Sequence, residues 1–194
     1  MANKKQQTHQ RILESMHKTF RQHGYNGAGV NSLANEAGVT SGAFYAHFGS
    51  KSGAFREIVT EGVSQFDQAI QKFQQENGDD WLDAFVAFYL DEKRRTDLSD
   101  SCALQSLTPE VVRSDDETRA LFQQELLKAA VSMSHKEGAD MKAPQGEKQK
   151  IDSETWATLS MIIGGVTLAR AVKDPGLADE IAFAVKNSLK TKSE

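Results

Sequence analysis

The sequence holds one cysteine, Cys102, only three prolines and no low-complexity tract in 194 residues. A single thiol excludes an internal disulfide, and no grouping of Cys and His has zinc-site spacing, so neither kind of staple holds the fold. Long hydrophobic runs are missing as well. The longest apolar stretches, such as 161–166, fall far short of the ~20 residues of a membrane span. Residues 1–10 contain no apolar run that could serve as a secretory signal, so a cytoplasmic location and no membrane partner are expected. There is no Gly-rich phosphate loop, nucleophile elbow or metal-ligand pair, and the chain is read as a non-enzyme with no catalytic residue, cofactor or metal. What remains, 39% hydrophobic and 26% charged residues, is the composition of a folded globular protein of one to two domains.

A basic excess is also lacking, since the formal net charge is -4. The charges are nevertheless segregated. Residues 1–51 carry six Lys and Arg against two Glu, a balance of +4, together with four of the five histidines, which leaves -8 for the remainder. Such a split points to a small basic module that meets phosphates and a larger acidic module with another task. A chance clustering of solvated charge is the competing reading of charge alone.

Nearly every segment has a helical period and almost none alternates strictly, so the class is all-α, with about nine helices. Ile12, Leu13, Met16 and Phe20 mark a first helix over 8–23, ended by Gly24. A second runs over 30–37, Gly38-Val39-Thr40 forms a turn, and a third covers 41–48 with Thr40 as N-cap. Ser50 caps a long helix to about residue 75, striped by Phe55, Ile58, Phe66 and Ile70. Asn77-Gly78 ends it, and Asp79 is expected to cap an aromatic helix that stops in the polar run 91–100. Residues 102–107 read as a short apolar turn, Thr108-Pro109-Glu110 as a cap followed by proline at the first helical position, and Ser114 to Glu117 as a capping box opening a helix to about residue 137. His17, a turn from Glu14, reads as ordinary surface, and His135 as a solvated residue near a helix end. Residues 138–150 read as a mobile loop; helices over 151–172 and from Asp174-Pro175 onward complete the chain.

A helix, a three-residue turn containing glycine and a second helix form the geometry that lays the second helix in the major groove. Phe44 and Phe48, four apart, anchor that second helix, leaving Ser41, Gly42, Ala43, Tyr45 and His47 for solvent or DNA. The stretch from Gly24-Tyr25 through Ala34 to Lys51, ending in AGV-T-S-G-A-F-Y-A-H-F-G-S-K, resembles the DNA-binding signature of the tetracycline-repressor (TetR) family, a match over about the first 55 residues. It combines turn, core and phosphate-contact requirements at many positions and is far more specific than a generic helix-turn-helix.

The resemblance implies a three-helix DNA-binding domain over residues 1–50 and a helical ligand-binding and dimerisation domain over residues 51–194. It implies a homodimer, paired through its last two long helices, that binds an inverted-repeat operator in double-stranded DNA and responds to a small-molecule effector. Carried over by position, Ser41, Gly42 and Ala43 read bases, and Thr40, Tyr45, His47 and Lys51 grip phosphates, with Lys4 and Lys5 as a basic arm. Where many members have Thr or Ser, this chain has Gly29, which removes one hydroxyl from the phosphate contacts. A repressor released by an apolar, aromatic or electrophilic inducer is the leading expectation. The alternatives are an activator, or a helix-turn-helix adaptor acting through a protein partner.

In the body, Phe66, Phe85, Phe88, Tyr89, Leu104, Phe122, Met133 and Trp156 are candidate lining of a ligand cavity, although helical spacing serves a plain core equally. Cys102 is either a reactive thiol beside that lining or a small buried hydrophobe, since no cation adjoins it in sequence. Trp156, Leu159, Ile163, Gly164, Val166, Ile181 and Val185 are candidate dimer contacts. Gly164-Gly165, costly in a helix at roughly 1 kcal/mol each, require close packing, across a dimer or within one subunit.

Overall fold

The computed structural model describes residues 2–134 and 151–190, with side chains from residue 5 onward. The expected loop at 138–150, His135 and the side chain of Lys4 lie outside the described residues. Among the described residues there is no strand, as the all-α reading requires. The chain divides into two compact units that do not follow chain order. The first comprises residues 1–63 and 97–123, the second residues 64–96 and 124–194.

The first unit begins with α1 (Ala2–Gly27), which is broken at Gly24, where φ is +68° and ψ 178°. Then come α2 (Val30–Glu36), α3 (Ser41–Phe48) and the start of α4 (Lys51–Asn77). Ile12, Met16 and Phe20 of α1, Leu33 of α2, Phe44 of α3 and Ile58 of α4 are all fully buried in one cluster, which Leu107 and Val111 join from α6 (Ala103–Val112). The expected stripes therefore converge. Ser50 caps α4 as expected, its Oγ accepting from Gly53 N at 2.9 Å.

Three local expectations fail here. The run 102–107 is not a turn but opens α6, with Cys102 at its N-cap, and Pro109 lies inside that helix. Thr108 caps nothing; its hydroxyl donates to Leu104 O at 2.5 Å. The Thr-Pro-Glu start signal loses because Leu104, Leu107 and Val111 share a face that the core buries, outweighing the one backbone bond that proline forfeits. At the next start, α7 (Asp116–Ser134), the cap is Asp115 rather than Ser114. Asp115 Oδ1 accepts from Thr118 N at 2.8 Å, while Ser114 donates back to Val111 O at 2.6 Å. Third, His17 is buried, 6% exposed, with Nε2 3.1 Å from Glu61 Oε2 of α4.

The second unit holds the rest of α4, α5 (Trp81–Ala87), most of α7, α8 (Ser153–Ala171) and α9 (Pro175–Lys190). Asp79 does not cap α5: residues 78–80 form a 3-10 turn and Asp80 stands at the N-cap without a side-chain bond. The aromatic helix does not stop at Asp91 either. It widens into a π-turn over Phe88–Glu92 and tightens to a 3-10 turn over Lys93–Arg95. Arg170 of α8 donates to the carbonyl of Arg94 at 2.8 Å, and Lys186 of α9 to Asp91 at 2.7 Å, so the irregular segment is held from both sides. Gly165 packs α8 against its neighbours within this unit. A Cβ there would stand 2.9 Å from Val185 Cγ2 and 3.3 Å from Leu90 Cδ2, whereas one on Gly164 would meet nothing within 4 Å.

Candidate nucleic-acid interface

The turn between α2 and α3 is built by local chemistry. Gly38 has φ +65°, a left-handed conformation that glycine adopts without steric cost. Val39 N donates to Ala34 O at 2.9 Å, closing α2. Thr40 Oγ1 then accepts from Ala43 N at 3.2 Å, capping α3. Phe44 and Phe48, both buried, pin the inner face of α3, their ring centroids 5.3 Å apart.

The outer face is thereby set. Thr40, Gly42 and Tyr45 are exposed, Tyr45 to 49%, and Ser41, Ala43 and His47 are half-buried. Lys5 is exposed at the start of α1, and half-buried Lys51 places Nζ 4.4 Å from the centre of the Tyr25 ring. That cation–π seat orients the ammonium, and burial lowers the Lys51 pKa below the ordinary lysine value. The His47 pKa is lowered chiefly by burial and further by its neighbours His9 and Lys5, while Glu57 opposes the shift. Every expected DNA contact with a described side chain thus belongs to the first unit. Gly29, the departure from the family pattern, is the N-cap of α2 and offers no side-chain bond there.

Two features of this face escaped the sequence. Ser41 Oγ donates to Asn31 Oδ1 of α2 at 2.7 Å, so the first base-reading candidate is tied to a residue ten positions away. His9 of α1 also reaches this face, with its ring centroid 5.5 Å from that of His47. The two histidines lie 38 positions apart in the sequence, a separation that no local period reveals.

The expected ligand residues are divided between the units. Phe66, Phe85, Phe88 and Tyr89 cluster in the second, with Phe66–Phe85 at 5.5 Å, Phe85–Tyr89 at 4.7 Å and Phe88–Tyr89 at 5.5 Å between ring centroids, in edge-on or tilted contacts. Met133, buried, and Trp156, half-buried, belong to that unit as well. Cys102 and Leu104, buried, and Phe122, half-buried, belong to the first unit. A cleft of ≈ 240 Å³ in the first unit is lined by none of these; Tyr25, Phe55, Ser52, Glu110 and Arg113 are among its walls. Of the expected dimer contacts, Leu159 and Val166 are buried within the single chain. Trp156, Ile163, Gly164, Ile181 and Val185 stay partly open. Leu168 of α8 and Phe183 of α9, not singled out in the sequence, are 59% and 62% exposed.

Comparison with known proteins places this geometry. Residues 12–58 match the family model of bacterial regulatory proteins, tetR family. The HTH-type transcriptional repressor AcnR of Corynebacterium glutamicum is 33% identical over 63 residues, which cover 32% of this chain and 34% of that protein. The HTH-type transcriptional regulator AcrR of Shigella flexneri is 43% identical over 53 residues, 27% of this chain and 25% of that protein. The chain thus matches about a third or less of the length of these curated relatives, all of it around the helix-turn-helix. Two solved structures share the whole described fold. The reduced form of NemR from E. coli has a TM-score of 0.76 at 17% identity, covering 95% of this chain and 96% of that one. A TetR-family transcriptional regulator from Agrobacterium tumefaciens has a TM-score of 0.75 at 15% identity, covering 95% and 98%. No described helix is long and apolar enough to cross a membrane. The motif, the capped helix α3 and these matches agree that residues 12–58 are similar to the helix-turn-helix region of bacterial regulatory proteins of the tetR family.

Proposed function

We propose that this protein is a ligand-responsive transcriptional regulator that binds an inverted-repeat DNA site as a homodimer and represses from it. The observation that carries the reading is α3: a capped helix whose inner face is pinned by Phe44 and Phe48 and whose outer face offers Ser41, Gly42, Ala43 and Tyr45. The small Ser41, Gly42 and Ala43 let the helix approach base edges closely, and Tyr45, His47 and Lys51 supply donors to phosphate oxygens. The similarity to a protein named as a repressor supports repression over activation. An α8–α9 face bearing exposed Leu168 and Phe183 supports pairing between copies of the chain. The effector is proposed to engage the aromatic residues of the second unit, where Phe66 packs edge to face against Phe85 and Tyr89.

The test is selection of bound sequences from random duplex DNA, with wild type and Tyr45→Ala side by side at two salt concentrations. A palindromic site should emerge for wild type, and Tyr45→Ala should bind it roughly tenfold more weakly per half-site, the worth of one hydrogen bond to a charged group. No enrichment, with no binding even at low salt, would refute the regulator reading for the free protein.

A further inference from the structure

His9, Glu57 and His47 come from three helices and meet beside the face assigned to DNA. His9 of α1 donates from Nε2 to Glu57 Oε1 of α4 at 2.5 Å. Its ring stacks on Phe48 of α3, centroids 4.8 Å apart and planes 26° apart. One ring nitrogen and one ring face are thereby committed, so the imidazole stands as a fixed wall. Against that wall lies His47, its centroid 5.5 Å away. The charged groups facing His47 are His9 and Lys5 from α1 and Glu57 from α4. Nothing in the helix-turn-helix fold itself requires His9 to bridge α4 and α3, because Phe48 is already buried among apolar neighbours.

We propose that His9 is a positioning residue for His47, anchored by Glu57, and that this trio makes the grip on the DNA backbone proton-linked. The proposal rests on the DNA-binding reading above. A phosphate arriving at His47 brings negative charge and favours its imidazolium, so binding takes up a proton wherever the free imidazole is neutral. His9 enlarges that uptake: it covers His47 and adds a neighbouring donor ring, both of which favour the neutral form in the free protein. Glu57 acts in the opposite sense. Affinity therefore rises as the pH falls.

Two measurements decide this. The first follows the His47 ring protons by NMR against pH in the free full-length protein, for wild type, His9→Phe and Glu57→Gln. His9→Phe retains the stack on Phe48, and Glu57→Gln retains an acceptor for His9 without its charge. The His47 midpoint should rise in His9→Phe and fall in Glu57→Gln, each shift about threefold in the proton-binding constant. A purely structural role moves neither in opposite senses. The second measures affinity for a 30-base-pair duplex at fixed ionic strength. Wild type should weaken by roughly three- to tenfold per half-site from pH 6 to pH 8, tenfold being one full unit of pKa change at one His47 on binding. His47→Gln should lose that step, and His9→Phe should shift it toward higher pH. An unmoved His47 midpoint in both variants, or an equal pH step in His47→Gln, would overturn the proposal. If the duplex binds no variant at low salt, the DNA-binding reading fails instead, and the His47 titration alone decides the coupling to His9.

Discussion

His17 illustrates how one residue couples the fold to pH. Its imidazole is buried between α1 and α4, and desolvation, the largest influence, lowers its pKa below the usual 6.5 despite Glu61 beside it. At 3.1 Å the pair is close yet poorly aligned for a hydrogen bond. A group depressed on folding contributes stability that is present above its unfolded pKa and lost as pH falls through the folded value. Thermal stability should therefore decline as pH drops below about 6.5, and His17→Gln should flatten that decline in a series of melting curves. Unchanged slopes would place the acid sensitivity elsewhere. At lower pH other residues take over. Asp115 and Asp152, held down by Thr118 and Thr155 at helix caps, and Asp179, held down by Arg95 and Arg94, lose their contributions as pH falls below the usual 3.8. The sequence placed His17 on the surface because its partner Glu61 is 44 positions away.

At the scale of the element, α8 separates two glycines that read alike in sequence. Gly165 faces Val185 and Leu90 so closely that a methyl group must displace them, whereas Gly164 faces open space in the single chain. Gly165→Ala should lower stability by about 1–3 kcal/mol through overpacking. Gly164→Ala should raise it by up to about 1 kcal/mol, the difference in helix propensity. Urea denaturation of both variants checks the pair, and equal effects would contradict the packing of α8 on α9. The same reasoning explains α6. A proline normally marks a helix start, but here the burial of Leu104, Leu107 and Val111 carries the helix through Pro109 to Val112.

For the whole molecule, the split of charge has a measurable consequence. In the proposed dimer, with Lys5 and Lys51 as cationic phosphate contacts in each subunit and four in all, affinity for duplex DNA should fall on the order of 100-fold between 50 and 200 mM salt. A flat salt response would argue for an adaptor that meets protein rather than DNA. The proposed pairing of copies has its own test. Phe183→Glu, on the exposed side of α9, should shift sedimentation from dimer to monomer at micromolar concentration without unfolding the chain, because the ring is 62% exposed and lies outside the core. A variant that stays dimeric would move the interface off this face.

The helix-turn-helix was legible in the amino-acid order because its determinants are local. Gly38, the Thr40 cap, the Phe44–Phe48 pair and the Ser50 cap act over three or four residues each, and propensity and periodicity report that range. The all-helical class follows for the same reason, as does the restart of α9 at Asp174, whose carboxylate accepts from Leu177 N at 2.7 Å. Tertiary structure alone decided what depends on distant partners. It placed residues 97–123 in the unit of the helix-turn-helix, so Cys102, Leu104 and Phe122 belong to a different unit from the ring cluster of Phe66, Phe85 and Tyr89. It also buried His17 and brought His9 to Glu57 across 48 positions. Such contacts form only when helices pack, because burial depends on which faces meet, and a helical period marks a face without naming the surface it will meet.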